Sequence, residues 1–160
     1  FDRLQVGEKI GLDGPYGMAY LREDAERDIL CLGGGSGLAP VVSIARGWAK
    51  SDKLKGRKLH FIYGGRTPAD ICGEDMLKEL RDYGVDLHYY PVVSMPEADN
   101  AGAWKGLTGF VHDVAAQTFG DSLKDMEIYF AGPPMMAEAV MRLVVEKKIP
   151  PTQVHYDQFV

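Results

Sequence analysis

The chain has 160 residues, 46% hydrophobic and 26% charged, with a formal net charge of −5 at pH 7. That length buries one core without covalent staples, and the acidic balance argues against a nucleic-acid binder, which needs a basic face. The two cysteines, Cys31 and Cys72, form no CxxC, so no zinc site or iron–sulfur cluster is expected from them. A disulfide stays open on parity, but a reducing cytoplasm is the simpler expectation. No signal-peptide pattern and no apolar run of about 18 residues is present.

In chain order, Phe1 to Gly7 begins without Met and reads as a segment already under way, so a piece of a longer protein is expected. Residues 4–22 read as a hairpin-like piece: Val6, Ile10 and Leu12, a turn at Gly14-Pro15-Tyr16-Gly17, then Met18 to Leu21. The charged run Arg22 to Asp28 marks a boundary, dividing the chain into 1–25 and 26–160.

From Ile29 the pattern alternates between strand and helix. Ile29 to Leu32 is a short apolar run of buried-strand type, followed by Gly33-Gly34-Gly35-Ser36-Gly37-Leu38-Ala39-Pro40 and a helix from Val41 to Lys50. A strand that breaks into glycines and restarts as a helix offers unpaired N–H groups and a positive dipole end, a setting for phosphate or pyrophosphate. The second strand is Lys58 to Tyr63, ended by Gly64-Gly65, with its helix from Glu74 to Tyr83 and Gly84 at its C′ position. The third is Asp86 to Val93; a long loop through Pro96 and Trp104 leads to Thr108 as an N-cap and a helix from Gly109 to Phe119. The fourth is Glu127 to Ala131, ended by Gly132-Pro133-Pro134, with a helix from Met135 to Lys148; Gln153 to Phe159 is the last strand.

Five apolar strands with four helical crossovers predict an α/β fold, a five-stranded parallel doubly wound sheet covered on both faces. Its ligands sit beyond the carboxyl ends of the strands. The glycines at 33–37, 64–65 and 132 all follow strand ends, as a long ligand across one edge would require.

The glycine stretch is not the G-x-G-x-x-G fingerprint, because Pro40 holds the last position, and it lacks the Gly-Lys-Ser/Thr of a P-loop. Pro40 suits the first turn of a helix, and Ser36 adds a hydroxyl beside an anion or a nicotinamide. Tyr63-Gly64-Gly65-Arg66-Thr67-Pro68-Ala69-Asp70 follows the second strand, where doubly wound folds read the adenosine ribose. Asp70 there accepts from ribose hydroxyls and repels a 2′-phosphate, whereas Arg66 would clamp one; the balance leans to NADH. The four histidines show no metal spacing, and Trp104, Met135 and Met136 read as packing groups.

Together these stretches resemble the ferredoxin–NADP reductase superfamily, specifically the reductase components of bacterial multicomponent oxygenases. The nicotinamide domain of that family opens with a GGGxGxAP-like loop, matched at Gly33 to Pro40. Its CGPxxM signature is matched at Ala131-Gly132-Pro133-Pro134-Met135-Met136, except that Ala131 replaces the cysteine. Its terminal aromatic two places after an acid is matched by Phe159 and Asp157, and YGGRTPADI looks like the oxygenase-reductase branch. Leu12-Asp13-Gly14-Pro15-Tyr16-Gly17 resembles the last strand of the flavin-binding barrel, which implies that 1–25 is the edge of that barrel and 26–160 the NAD(P)-binding domain.

The resemblance implies hydride transfer from NADH to FAD held mainly by the barrel domain, then single electrons through a 2Fe–2S ferredoxin to an aromatic or alkene oxygenase. It places Ala131 beside the reacting nicotinamide carbon without a thiol, Phe159 over the flavin, and Asp157 as an orienting or proton-shuttling acid. It implies pyrophosphate over Gly35 to Gly37. The barrel's RxYS-type motif and a four-cysteine cluster are absent, so this chain by itself is expected to bind dinucleotide and not to turn over. Two other readings stay open: a plain NAD(P)H–flavin or ferredoxin reductase serving no oxygenase, and a non-catalytic nucleotide-binding regulatory module.

Overall fold

Four apolar residues in succession cannot hide on one face of a strand, so β1 (Ile29–Gly34) is buried from both sides at the centre of the sheet. The computed structural model describes residues 3–14, 16–97 and 104–157. Ile29 and Cys31 enter one core, Leu30 and Leu32 the other, as the two-residue period of a strand dictates. On the first side lie α1 (Leu38–Lys50), with Val41, Ile44, Ala45 and Trp48 inward, and the short α2 (Glu74–Lys78), with Leu77. On the second lie α3 (Val111–Phe119), through Val114 and Ala115, and α4 (Pro134–Glu146), through Val140, Leu143 and Val144. Each fully buried Leu, Ile or Val contributes about 1.5–3 kcal/mol before entropy is counted.

The other strands are β2 (Leu59–Gly65), β3 (Leu87–Val93), β4 (Leu107–Thr108), β5 (Glu127–Ala131) and β6 (Val154–Tyr156). They form a six-stranded parallel sheet in the order β4-β3-β2-β1-β5-β6. The chain steps outward from β1 to β4 and then returns to β5 on the other flank of β1. The crevice between β1 and β5 is therefore the switch point where such sheets take their ligands. The register aligns the glycine breaks: Gly33 pairs with Tyr63 and with Ala131, and Gly34 with Gly64.

Four expectations are corrected. The sheet has six strands, because Thr108 pairs with Val93 rather than capping a helix; Gly109, at φ +116°, turns the chain, and α3 starts at Val111. The second helix stops at Lys78 instead of Tyr83, since Arg81 turns back to donate to the Trp48 and Ser51 carbonyls at 3.0 and 3.1 Å and Asp82 is left-handed. Among the described residues of 4–22 there is no strand: Val6 and Leu12 are exposed, and a two-stranded piece with nothing packed on it does not hold. The two glycine pairs close their strands from inside, belonging to β1 and β2 themselves.

Both cysteines are free, Cys31 buried and Cys72 exposed, so no disulfide forms between them. At the amino-terminal edge of the sheet, buried Glu127 joins His155 at 2.5 Å and Arg27 at 3.1 Å, which satisfies a carboxylate that burial alone would penalise. Among the described residues no helix is long and apolar enough to cross a membrane.

Candidate functional site: the carboxyl edge of the sheet

The glycine loop is built by two close approaches. Gly37, the residue before α1, has ordinary helical torsions (φ −62°), but a Cβ there would overlap the Ala131 carbonyl and lie 2.8 Å from the Gly132 nitrogen. Only glycine lets the start of α1 rest on the end of β5. Gly35, by contrast, is left-handed (φ +56°) with open space where a Cβ would be, so its bare backbone faces outward. The Gly35 carbonyl accepts from the Leu38 amide and, at 3.1 Å, from the Tyr63 hydroxyl. Burial, seconded by a bond from Cys72, pushes the Tyr63 phenol up to about 12, so it stays a donor at any physiological pH. No side chain caps α1; the Leu38 amide is spent on Gly35 and Pro40 has none, so of the first three positions of the helix Ala39 keeps an amide for a ligand.

Met136 seals the crevice between β1 and β5. Its sulfur would lie 2.8 Å from a Cβ at Gly34 and 2.6 Å from one at Gly132, so both glycines make room for one thioether. Pro133 and Pro134 start α4 without a donor to satisfy, Pro134 standing at its first position.

Above these floors opens a cleft of about 1200 Å³. It brings together Gly34, Gly35, Tyr63, Gly64, Gly65, Arg66, Asp70, Pro133 and Met136 of the expected site. Gly33, Gly37 and Ala131 are buried supports beneath it, and Ala131 packs into the core on the α1 side. Ser36 and Ala39 are exposed beside the loop; Leu38 is half-buried against Gly73. Phe159 lies outside the described residues, and Asp157 follows β6 at the sheet's flank rather than in the cleft.

Asp70 lines the cleft, but its Oδ2 accepts from the Arg66 and Thr67 amides at 3.0 and 2.8 Å and from the Thr67 hydroxyl. These bonds, the Thr67 amide foremost, hold its carboxyl below the usual range. One oxygen is committed to its own turn. The cleft also extends further than sequence reasoning placed it, to Ser94 after β3, to Phe110 and His112 at the start of α3, and to Arg142 on α4. The exposed Phe110 ring stacks on His112 with centroids 5.8 Å apart. The signal for this wall was the Thr108-Gly109-Phe110 turn, read instead as a helix cap.

Residues 31–142 match the family model described as the oxidoreductase NAD-binding domain. The chain is 34% identical over 159 residues to the ferredoxin–NAD(P)(+) reductase CarAd of Metapseudomonas resinovorans, covering 99% of this chain and 46% of that protein. It is 34% identical over 157 residues to the reductase component of propane 2-monooxygenase of Mycolicibacterium goodii, covering 98% of this chain and 44% of that protein. Among solved structures, a ferredoxin reductase in carbazole 1,9a-dioxygenase superposes with a TM-score of 0.76 at 31% identity, covering 89% of this chain and 40% of that one. The chain thus spans less than half the length of each.

Proposed function

The chain belongs to the oxidoreductase NAD-binding domain family, and from that premise we propose that it is the NADH-binding half of a flavoprotein reductase serving an oxygenase. The observation that carries the reading is the alignment of β2 and β1, which end in glycine, with β5, which Gly132 follows, under one cleft. The residues fit a dinucleotide: the open, left-handed backbone at Gly35 admits a pyrophosphate, and the Ala39 amide at the uncapped start of α1 supplies a donor. The exposed Phe110 ring offers a face for the adenine, with Ser94 and the free oxygen of Asp70 on the ribose side. Gly132, Pro133 and Met136 shape the nicotinamide end.

When bound, NADH supplies a hydride to FAD, and the chain's own residues orient, desolvate and hold. Residues 1–25 are the edge of the flavin-binding barrel; the exposed apolar side chains Leu4, Val6, Ile10 and Leu12 support this, since they want cover that 26–160 does not give. Phe159 is the flavin-covering aromatic, and Asp157 is a positioning acid. Ferredoxin and oxygenase are the onward partners, as the names of the similar proteins support.

The exposed Arg66 on the same wall favours a second reading, in which NADPH is the donor. Calorimetric titration of the chain with NADH and, separately, NADPH decides between them. Tighter NADH binding is expected; tighter NADPH binding would transfer the discriminating role from Asp70 to Arg66. Binding of neither would refute the site.

A further inference from the structure

Residues 17–22 are strapped across the sheet's β6 flank by bonds that form a closed circuit. The Met18 amide donates to Asp157 Oδ1 at 3.0 Å, and the Met18 carbonyl accepts from Arg22 Nη2 at 3.1 Å. The Arg22 guanidinium lies 3.2 Å from the centre of the Tyr20 ring, which stiffens the strap from within. The Arg22 amide in turn donates to the Tyr129 hydroxyl at 2.8 Å, and the Tyr129 ring stacks on His155 of β6, two residues from Asp157. Leu21 closes the far end by lying against Gly47 of α1, where a Cβ would stand 2.9 Å from its Cδ2.

Gly17 makes the Asp157 contact possible. Its φ is +98°, and a Cβ on it would lie 2.5 Å from both carboxylate oxygens of Asp157. Torsion and space therefore demand glycine independently, and both demands point at the same carboxylate. Asp157 is not among the residues that line the cleft, and its carboxylate accepts from the strap.

Resting on the reading of 1–25 as the flavin side, we infer that Asp157 is a positioning residue: its carboxylate latches Gly17 and Met18 to the end of β6 and thereby sets where the nucleotide edge stands relative to the flavin. The latch needs an acceptor of that shape, and it does not need a titrating proton.

Three variants test this: Asp157→Ala, Asp157→Asn and Gly17→Ala. Amide exchange at Met18 in the 160-residue chain is expected to rise about tenfold in Asp157→Ala, the loss of one charge-assisted bond. Gly17→Ala, which leaves the acid in place but pushes it away, is expected to match it. Asp157→Asn, which keeps an acceptor oxygen, is expected to stay within about threefold of the parent. The rate of flavin reduction by NADH, measured in the protein carrying its flavin domain, follows the same ranking. If Asp157 instead moved a proton or placed its charge on the reacting ring, Asn would fail with Ala, and Gly17→Ala would react normally; that pattern overturns the inference. Unchanged Met18 exchange in Asp157→Ala overturns it as well. Failure of the parent chain to bind NADH would sink the proposed function while leaving the exchange result standing, so the two are separable.

Discussion

Gly37→Ala is the sharpest test of how the nucleotide loop is built. The backbone torsions at Gly37 suit alanine, so the whole effect is steric. The added methyl meets the Ala131 carbonyl and the Gly132 nitrogen, which are main-chain atoms of a buried strand end and cannot swing aside as a long side chain would. Overpacking costs about 1–3 kcal/mol, and a rigid obstacle puts this case near the upper end, about 3 kcal/mol. In a domain of this size each kcal/mol moves the Tm by about 2–4 °C, so a fall of about 6–12 °C is expected. Gly35→Ala is the matched control. Its methyl enters open space, leaving only the left-handed torsion to oppose it, at about 1–2 kcal/mol. Thermal unfolding and NADH calorimetry on both variants should separate them: Gly37→Ala mainly destabilises, while Gly35→Ala mainly weakens binding, because its methyl stands where the proposed function puts the pyrophosphate. A parental Tm for Gly37→Ala would refute the seating of α1 on β5.

Two further outcomes are expected. Tyr63→Phe removes one of two donors to the Gly35 carbonyl, a net loss of about 0.5–1.5 kcal/mol, and should raise the NADH Kd by up to about tenfold; an unchanged Kd by calorimetry would show that the Leu38 amide holds the loop unaided. His60 should make the fold acid-sensitive, because burial, with His88 stacked on it, lowers its pKa from 6.5 to about 4. The unfolded chain then binds more protons between those values, so stability is full above about 6.5 and falls as pH drops towards 4, by about 1–2 kcal/mol once solvent screening of this half-buried ring is allowed for. Urea unfolding across that range should show the slope, and His60→Gln should flatten it; an equal slope in the variant would place the acid sensitivity elsewhere.

The local rules of the chain determined most of the architecture. Ile29 to Leu32 reads as a strand covered on both faces, the stretch from Gly33 to Pro40 holds that strand's end and the start of a helix, and glycines mark the ends of the next strands at Gly64-Gly65 and Gly132. Apolar periodicity and glycine breaks act over a few residues, so they are legible without the fold. What the tertiary structure decided are contacts between segments far apart in the chain. Thr108 is a reasonable cap by type, but the unpaired edge of β3 claimed it as a strand residue. Asp70 is a reasonable ribose acceptor by position, and the exception to that rule: the bonds that occupy one of its oxygens come from Arg66 and Thr67 in its own turn, a local contact within the reach of the sequence. Ser94, Phe110 and Arg142 carry no motif, and they join the cleft only because β3, α3 and α4 converge on one edge. Asp157 finds Met18 across a separation of 139 residues. Spacing cannot encode that meeting, because it arises when the parallel sheet sets β6 beside β5 and the strap crosses that flank.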